Sequence, residues 1–277
     1  MSTPELMTQS RIESELPLAL ATGQLFCVYQ PQVELATGRL HAFETLVRWQ
    51  HPRHGVMTPN RILPAVAATG SEAQLFATVL DAALSAQRLW TDAWGTRTPV
   101  AINLSAAELT GTDVVDTVLR VLAEHSAPAS SLWLEVAEGV LVHDAMLDTL
   151  RAVHGLGVNL ALDDFGSGGA PMSRLLRFPW DLLKVDRSFL DGLGEDPVVD
   201  RPYRSMLGLA GELGVRTLAE GVETGDQLAR VTDLGCDLAQ GFFLGRPLGA
   251  DVALEHVDSA GRWISDPDVP RRARLAV

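Results

Sequence analysis

Cysteines, basic residues and long apolar runs are all scarce in this sequence, and each scarcity narrows what the protein can be. The two cysteines, Cys27 and Cys236, are too few and too far apart for a disulfide framework or a zinc ribbon, so we interpret them as buried thiols in a reducing compartment. No segment reaches the roughly 18 consecutive apolar residues of a membrane span, and residues 1–10 lack the basic-then-apolar pattern of a secretory signal. The sequence predicts a cytoplasmic protein without a membrane segment.

Basic residues are outnumbered by acidic ones. The 22 lysines and arginines face 35 aspartates and glutamates, which gives a formal net charge of −13. This charge repels polyanions and argues against nonspecific adhesion to polymeric nucleic acid or to a membrane surface. The negative net charge does not exclude a small anionic ligand, because a bound metal ion or a local basic patch can make the electrostatic potential of the binding site positive.

The chain also lacks a linker rich in proline, glycine and serine that would divide it into domains. Its 277 residues, 47% of them hydrophobic, are enough for one large barrel or two ordinary domains with a sizeable core. We therefore predict a single domain over residues 10–262, preceded by a flexible tail over residues 1–9 and followed by a second tail over residues 263–277.

Short β-type segments alternate with amphipathic helical segments along almost the whole chain. The strand candidates are Leu25–Gln30, His41–Val47, Pro99–Asn103, Ser131–Glu135, Asn159–Leu162, Leu182–Val185, Arg216–Glu220 and Leu238–Phe243. Apolar residues recur at helical spacing in Asp113–Glu124, Asp144–His154, Arg204–Leu213 and Asp226–Leu234. Eight β units with intervening helices predict an α/β fold, a modified TIM-type (β/α)8 barrel. Residues 33–40 are too short for a crossover helix, so we expect an irregular, antiparallel first strand.

Polar side chains stand at or near the carboxyl ends of the predicted strands, where barrels of this kind gather their chemistry. They are Gln30, Glu44, Asn103, Glu135, Asp163, Asp164, Lys184, Glu220 and Gln240. Any one of them alone is more often a helix cap or half of an ion pair. Together they surround one small mouth, and hard oxygen ligands suit Mg²⁺ or Mn²⁺. The 7 histidines are scattered without HExxH spacing, which argues against zinc.

Asp163 and Asp164 are consecutive at the point where an apolar run ends. Two adjacent anions at the edge of a core need a cation, a shared proton or several hydrogen-bond donors to stay ionised. Two neighbouring metal ions would supply that compensation, with one aspartate serving each ion or bridging both. A two-metal site can activate water and neutralise charge on a phosphodiester, so the acidity of the chain does not exclude an anionic substrate.

Motifs at these strand ends also follow one another in a recognisable order. They are Tyr29-Gln30-Pro31, Glu44-Thr45-Leu46-Val47-Arg48-Trp49, Asn103-Leu104-Ser105, Glu135 with Glu138, Asp163-Asp164-Phe165-Gly166, Leu183–Phe189, Ala219–Thr224 and Gln240–Phe243. With them the chain resembles the EAL-domain family of cyclic di-GMP phosphodiesterases over nearly its whole length. The resemblance implies a barrel that hydrolyses cyclic di-GMP to linear pGpG with two Mg²⁺ or Mn²⁺ ions.

The resemblance also implies a role for each site residue. One metal ion would be held by Glu44, Asn103, Glu135 and Asp163, and the second by Asp163 and Asp164. The catalytic residues would be Lys184, which holds or activates the attacking water, and Glu220, which is a metal ligand or base partner, while Gln240 binds metal through water. The substrate would be bound by Gln30, Leu46, Arg48, Asn103, Asp164, Glu223 and Phe242. Glu138 and Ser167 would support the loop after Asp164 through hydrogen bonds to each other and to the chain. For Lys184, the alternative is an ordinary ion pair with Asp186 or a carboxylate at the rim.

The sequence departs from the family pattern at two places. Thr45 replaces the central alanine of the Glu-Ala-Leu motif, and strand alternation turns it toward the helical layer, so we expect the change to be tolerated. Residues 167–173 differ from the usual Thr-Gly-Tyr-Ser-Ser-Leu-Ser run, because Gly169 lacks an aromatic ring and Pro171 lacks a backbone donor. In the family this loop joins the second metal site to a homodimer contact, so the altered loop argues against the homodimer that the resemblance implies.

Three functions are compatible with these features. The first is an active phosphodiesterase, which the complete set of metal-binding positions favours. The second is a receptor that binds cyclic di-GMP without rapid hydrolysis and acts through protein contacts, which the altered loop favours. An unrelated magnesium barrel, such as an enolase-like lyase, does not account for the ordered motifs. A sensor or cyclase domain would be the expected partner.

Overall fold

A computed structural model describes residues 9–111, 113–140, 144–167, 178–194 and 198–264. All eight predicted strands are present, together with one short strand that was not predicted. The strands are β1 (Leu25–Glu34), β2 (Leu40–His51), β3 (Gly55–Met57), β4 (Val100–Asn103), β5 (Leu132–Ala137), β6 (Asn159–Phe165), β7 (Leu182–Val185), β8 (Arg216–Ala219) and β9 (Leu238–Ala239). The unpredicted β3 forms a hairpin with β2, in which Trp49 pairs with Met57.

Eight of the strands close into a barrel, and β3 is attached to β2 outside the ring. This confirms the modified TIM-type (β/α)8 fold. The first strand is antiparallel to both of its neighbours, since Gln30 pairs with Glu44 of β2 and Val33 pairs with Ala239 of β9, whereas the other barrel pairs are parallel. The turn between β1 and β2 contains Gly38 at a φ of 69°, a conformation that glycine adopts without strain.

Helices surround the barrel, and the predicted ones are present with small shifts at their ends. The helices are α1 (Gln9–Ala21), α2 (Pro59–Thr69), α3 (Glu72–Trp94), α4 (Ala106–Thr110), α5 (Val114–Glu124), α6 (Asp144–Gly155), α7 (Asp200–Leu213), α8 (Gly225–Asp233) and α9 (Ala250–Ala253). The largest shift is in α7, which begins one turn before the predicted Arg204. Among the residues described, no helix combines the length and apolar character needed to cross a membrane.

The interior of the barrel has an apolar floor that is separate from the main core. The floor consists of Ala101, Trp133, Ala161, Leu182, Leu218 and Leu238. Their strand neighbours, such as Ile102, Leu134 and Leu183, belong instead to the larger core between the strands and the helices. This division follows from strand alternation, because successive side chains point to opposite faces.

Two boundaries predicted from the sequence differ from the structure. The predicted last strand, Leu238–Phe243, ends at Ala239, because the chain turns at Gly241, whose carbonyl oxygen accepts hydrogen bonds from two following amides. Trp263, which we assigned to the C-terminal tail, is buried, and its indole Nε1 donates to the carbonyl oxygen of Leu244 over 2.7 Å. The packed part of the chain therefore includes Trp263.

Candidate active site

A layer of polar side chains lies directly above the apolar floor. In each strand that supplies a floor residue, the inward-facing residue two positions later is polar. The pairs are Ala101 with Asn103, Trp133 with Glu135, Ala161 with Asp163, Leu182 with Lys184, Leu218 with Glu220, and Leu238 with Gln240. The period of two along a strand gives both members of a pair the same inward direction. These six polar residues, all predicted as site residues, therefore form one layer across the barrel.

Lys184 is the centre of this layer and is completely buried. Its Nζ lies 2.7 Å from Glu135 Oε2, 2.9 Å from Asp163 Oδ1 and 2.8 Å from Glu220 Oε1. Burial by itself would lower the pKa of Lys184, but the three carboxylates outweigh it and raise that pKa well above the ordinary value for lysine. Lys184 is thus a fixed ammonium that donates hydrogen bonds and does not accept protons. Of the alternative ion pairs, the one with Asp186 is not formed, whereas pairs with carboxylates at the mouth are.

The carboxylates around Lys184 carry more negative charge than one ammonium balances. Burial raises the pKa of Glu135 to about 8, with Lys184 opposing the shift and Glu44 adding to it. Burial also raises the pKa of Glu220 well above its usual range, again against the effect of Lys184. Crowded, desolvated carboxylates of this kind are stabilised by additional positive charge, which a divalent cation would provide.

Asp163 and Asp164 both reach the mouth, although strand alternation would send them to opposite faces. Asp164 has a φ of 56°, a left-handed conformation that aspartate tolerates better than most residues. The pairing of β6 with β7 also shifts register between Leu162 and Phe165. As a result, carboxylate oxygens of Asp163, Asp164 and Glu220 all lie within 4.8 Å of one another. This cluster fits a divalent cation, since its donors are all hard oxygens.

A second group of hydrogen bonds fixes Glu44 on the opposite side of the mouth. Asn103 Nδ2 donates to Glu44 Oε1 over 2.9 Å, and Gln240 Nε2 donates both to Glu44 Oε2 and to Gln30 Oε1. The remaining amide oxygen of Gln240 is buried and has no hydrogen-bond partner among the residues described. Water in the shell of a metal ion would satisfy such an acceptor, so the site also fits the role predicted for Gln240.

Gln32 is a site residue that the sequence analysis missed. Its side chain is buried, and Nε2 donates to Glu135 Oε1 over 2.9 Å. Because Gln32 follows Gln30 by two positions, both face the same side of β1. That alternation was the available signal, but our predicted first strand ended at Gln30, whereas β1 continues to Glu34.

An open cavity of about 320 Å³ lies above the polar layer. Of the predicted substrate-binding residues, Gln30, Asp164, Glu223 and Phe242 line this cavity. Asp186 and Arg187 line it as well and were not predicted as site residues. Leu46 and Arg48 follow Glu44 along the same face of β2 but are not among the lining residues, and Arg48 Nη1 donates to the carbonyl oxygen of Val47. Asn103 contacts Glu44 but does not line the cavity either.

The hydrogen bonds at the start of the loop after Asp164 differ from the predicted bond between Glu138 and Ser167. Glu138 Oε2 accepts a hydrogen bond from the backbone amide of Gly166 over 2.8 Å. The Ser167 hydroxyl donates to the carbonyl oxygen of Asp164 over 2.8 Å, so the predicted bond between Ser167 and Glu138 is not formed. Both side chains nevertheless contact this segment. Residues 168–173 of the altered loop lie outside the described residues.

Thr45 is buried on the face of β2 opposite to Glu44, as strand alternation requires. Its hydroxyl oxygen has no hydrogen-bond partner among the residues described. The replacement of alanine therefore affects packing between the barrel and its helices and leaves the polar layer unchanged.

Comparisons with known proteins identify relatives of this chain. The chain is 38% identical to the bifunctional diguanylate cyclase/cyclic di-GMP phosphodiesterase MucR of Pseudomonas aeruginosa, over 90% of this chain and 37% of that protein. It is 37% identical to the cyclic di-GMP phosphodiesterase NbdA of the same organism, over 93% of this chain and 33% of that protein. The chain thus spans about a third of the length of these curated relatives.

Solved structures show the same barrel. The PaMucR phosphodiesterase in complex with c-di-GMP superposes with a TM-score of 0.82 at 38% identity, covering 87% of this chain and 99% of that chain. The EAL domain of Mycobacterium smegmatis DcpA gives a TM-score of 0.73 at 31% identity, with 87% and 100% covered. The EAL domain family matches residues 13–247. This chain therefore belongs to the EAL domain family.

Proposed function

We propose that this chain is a metal-dependent phosphodiesterase that hydrolyses cyclic di-GMP to linear pGpG. The observation that carries the proposal is the polar layer, in which one buried ammonium contacts Glu135, Asp163 and Glu220. Two of these carboxylates also form a cluster with Asp164, in which the oxygens lie within 4.8 Å of one another. A protein that only binds the nucleotide has no physical need for this arrangement. The names of the relatives MucR and NbdA support the substrate.

The residues divide between two Mg²⁺ or Mn²⁺ ions. Glu44, Asn103, Glu135 and Asp163 would hold one ion, and Asp163, Asp164 and Glu220 would hold the other, with Gln240 contacting metal-bound water. When bound, the two ions would lower the pKa of a water molecule and neutralise charge on the phosphodiester. In addition, Gln32 keeps Glu135 oriented through its hydrogen bond to Oε1.

Lys184 and Glu220 would handle the attacking water. Since Lys184 remains an ammonium, it would donate a hydrogen bond to the water oxygen or to a phosphate oxygen and orient it. Glu220, which contacts Lys184 over 2.8 Å, would accept the proton that the water loses. The water oxygen then bonds to phosphorus, and the bond from phosphorus to the 3′ oxygen breaks. The 3′ oxygen takes up a proton from solvent, which leaves the 3′-hydroxyl and the 5′-phosphate of pGpG.

The cavity above the polar layer would receive one half of the cyclic dinucleotide. Gln30 and Asp164 would contact its polar groups, and the exposed ring of Phe242 offers an apolar face on which a base can stack. Leu46 and Arg48 lie further along the Glu44 face of β2 and would contact the other half of the ligand. Glu223 lies at the rim beside Phe242 and would accept hydrogen bonds from a guanine edge.

Incubation of the purified chain with cyclic di-GMP and Mn²⁺, followed by chromatography for pGpG, tests the proposal. We expect product from the wild type and a loss of at least about 100-fold in turnover for Lys184→Met, because the residue that orients the water is gone. Arg88→Met, at the opposite end of the barrel, is the matched control for the lost charge. Tight binding without product would instead identify a receptor, and neither binding nor product would contradict both functions.

A further inference from the structure

At the mouth of the barrel, the guanidinium group of Arg246 lies over the aromatic ring of Phe242. The guanidinium carbon of Arg246 lies 4.1 Å from the ring centroid. Phe242 also lines the cavity above the polar layer and is 48% exposed. Arg246 makes no ion pair and no side-chain hydrogen bond with any residue that the structure describes. The ring is therefore the neighbour that defines the position of this guanidinium.

The turn that carries Phe242 and Arg246 is held firmly. The carbonyl oxygen of Gly241 accepts hydrogen bonds from the amides of Leu244 and Gly245, so the chain makes one helical turn that places side chains four residues apart on the same side. From outside the turn, Trp263 Nε1 donates to the carbonyl oxygen of Leu244, and Gln30 Nε2 donates to that of Gly245. Both partners therefore hold the backbone of the turn in place.

Gly241 and Gly245 can occupy this turn because neither has a side chain. A Cβ on Gly245 would lie 2.8 Å from Pro31 Cγ and 3.1 Å from Trp263 Cζ2. A Cβ on Gly241 would lie 2.1 Å from the carbonyl oxygen of Val222. The backbone between them is thus packed on both sides, which fixes the positions from which Phe242 and Arg246 extend before any ligand arrives. Such preorganisation reduces the entropy cost of binding.

The chemistry of this pair matches a purine base. Arg246 lies over the ring of Phe242, and the same half-exposed side chain lines the cavity, so its uncovered surface is available to a flat ligand there. Stacking on an aromatic ring contributes to the binding of every nucleobase, and a cation over the ring is attracted to it and restrains it electrostatically.

We propose that Arg246 is a positioning residue that holds Phe242 as the stacking surface for a guanine base of the substrate. This inference rests on the proposed phosphodiesterase function. Arg246 acts through the ring and does not contact the reacting phosphate. It therefore affects the binding of the nucleotide and leaves the chemical step at the polar layer unchanged.

The first test measures kcat and KM for cyclic di-GMP with Arg246→Met, which keeps an unbranched side chain but removes the cation. We expect KM to rise about three- to fivefold, the factor that corresponds to loss of an exposed cation–π contact, with kcat unchanged within the error of the assay. Arg246→Lys, which restores a cation at the same position, should recover part of the loss. Arg88→Met removes the same charge far from the mouth and should leave KM unchanged.

The second test asks whether Arg246 acts through the ring. In a Phe242→Leu background, Arg246→Met should cause no further rise in KM, because the surface that it positions has already been removed. An equal rise in both backgrounds would show direct contact with substrate and would overturn the proposal. A fall in KM would overturn it too, since the cation would then occupy the position of the base.

The wild-type control separates this inference from the proposed function. Product from the wild type, with identical KM values for wild type and Arg246→Met, contradicts only the role of Arg246. A wild type that neither binds nor hydrolyses cyclic di-GMP contradicts the proposed function and the role of Arg246 together. The thermal midpoints of all variants show whether each is folded. If Arg246→Met does not fold, the KM of Arg246→Lys is used for the test instead.

Discussion

Asp163 shows how one residue connects the electrostatics of the site to its proposed ligand. It contacts the ammonium of Lys184 and also belongs to the cluster with Asp164 and Glu220. Asp163 therefore has both the position of a metal ligand and that of a counter-ion. The two roles can be distinguished with Asp163→Asn. If Asp163 were only a counter-ion, the substitution would leave the stabilisation by added metal unchanged.

We predict that Asp163→Asn removes most of the thermal stabilisation by Mg²⁺ or Mn²⁺. A metal at about 100 times its Kd adds about 2.7 kcal/mol to the unfolding free energy, which is a rise of roughly 5–10 °C in Tm for a chain of this size. Differential scanning fluorimetry with and without metal measures the effect. The control is Asp92→Asn, an exposed carboxylate on α3. A full metal response in Asp163→Asn would exclude Asp163 as a ligand.

His41, near the amino end of β2, provides a pH-dependent contribution to stability outside the polar layer. Burial, and to a smaller extent the charge of Arg216, lower its pKa to about 4, while Glu34 opposes the shift. Its ring packs edge-on against Trp133 at a centroid distance of 5.3 Å. In the unfolded chain the pKa of histidine is about 6.5, so the folded state disfavours the proton that the unfolded state binds.

We predict that the contribution of His41 is complete above pH 6.5 and is lost as the pH falls toward about 4. His41→Phe keeps an aromatic ring against Trp133 and removes the titration. From pH 7.5 to pH 5, the unfolding free energy of the wild type should fall more than that of the variant by on the order of 2 kcal/mol. Urea unfolding at both pH values measures this difference, and equal losses would contradict the assignment.

At the scale of elements, the loops after β8 and β9 pack backbone against backbone and form one wall of the mouth. Gly241 of the second loop approaches Val222 of the first so closely that a Cβ would lie 2.1 Å from its carbonyl oxygen and 2.2 Å from its amide nitrogen. The amide of Val222 in turn donates to the carbonyl oxygen of Gln240. The packing of these two loops thus sets the position of Gln240.

We predict that Gly241→Ala destabilises the chain by more than about 2 kcal/mol, because backbone atoms on both loops must move. Chemical denaturation measures the change. The matched control is Gly211→Ala within α7, where an added Cβ meets nothing within 4 Å and should stabilise the helix by about 0.5–1 kcal/mol. Similar effects at the two glycines would show that the loops separate easily.

The elements also show what could be predicted from sequence. Strand positions and the inward polar residues follow from periodicity and from the convergence of parallel strands, and the structure places Asn103, Glu135 and Lys184 accordingly. Gln32 was missed because the direction and length of β1 depend on pairing with strands distant in sequence. The left-handed Asp164, the hairpin of β3 and the burial of Trp263 likewise depend on tertiary contacts.

At the scale of the whole molecule, the barrel is closed by the pairing of β1 with β9, which consists of two residue pairs. β9 pairs with β1 through Val33 with Ala239 and Glu34 with Leu238, whereas β5 pairs with β6 from Trp133 to Ala137. The hydrogen bond from Gln240 to Gln30 and the ion pair between Arg216 and Glu34 span the same contact. Because this contact contains few backbone hydrogen bonds, it can open locally.

We predict that amide hydrogens near β9 exchange faster than those of β5 under native conditions. Opening of the short contact frees them without global unfolding. Hydrogen exchange with mass spectrometry, on peptides from residues 236–242 and 132–137, measures both rates in one sample. Equal protection would show that the barrel opens only as a unit. Glu34→Gln weakens the ion pair to Arg216 and should accelerate exchange near β9 alone.

Because strand alternation places the polar layer above the floor, an error in strand register would change both the core and the site. If β6 or β7 shifted by one residue relative to its neighbours, Leu162 or Leu183 would face the lumen and a carboxylate or Lys184 would enter the apolar core. The misassembled barrel would lose its stability and its ligands in the same step. Stably folded molecules with a scrambled site should therefore be absent from any preparation, and the folded fraction should equal the metal-binding fraction.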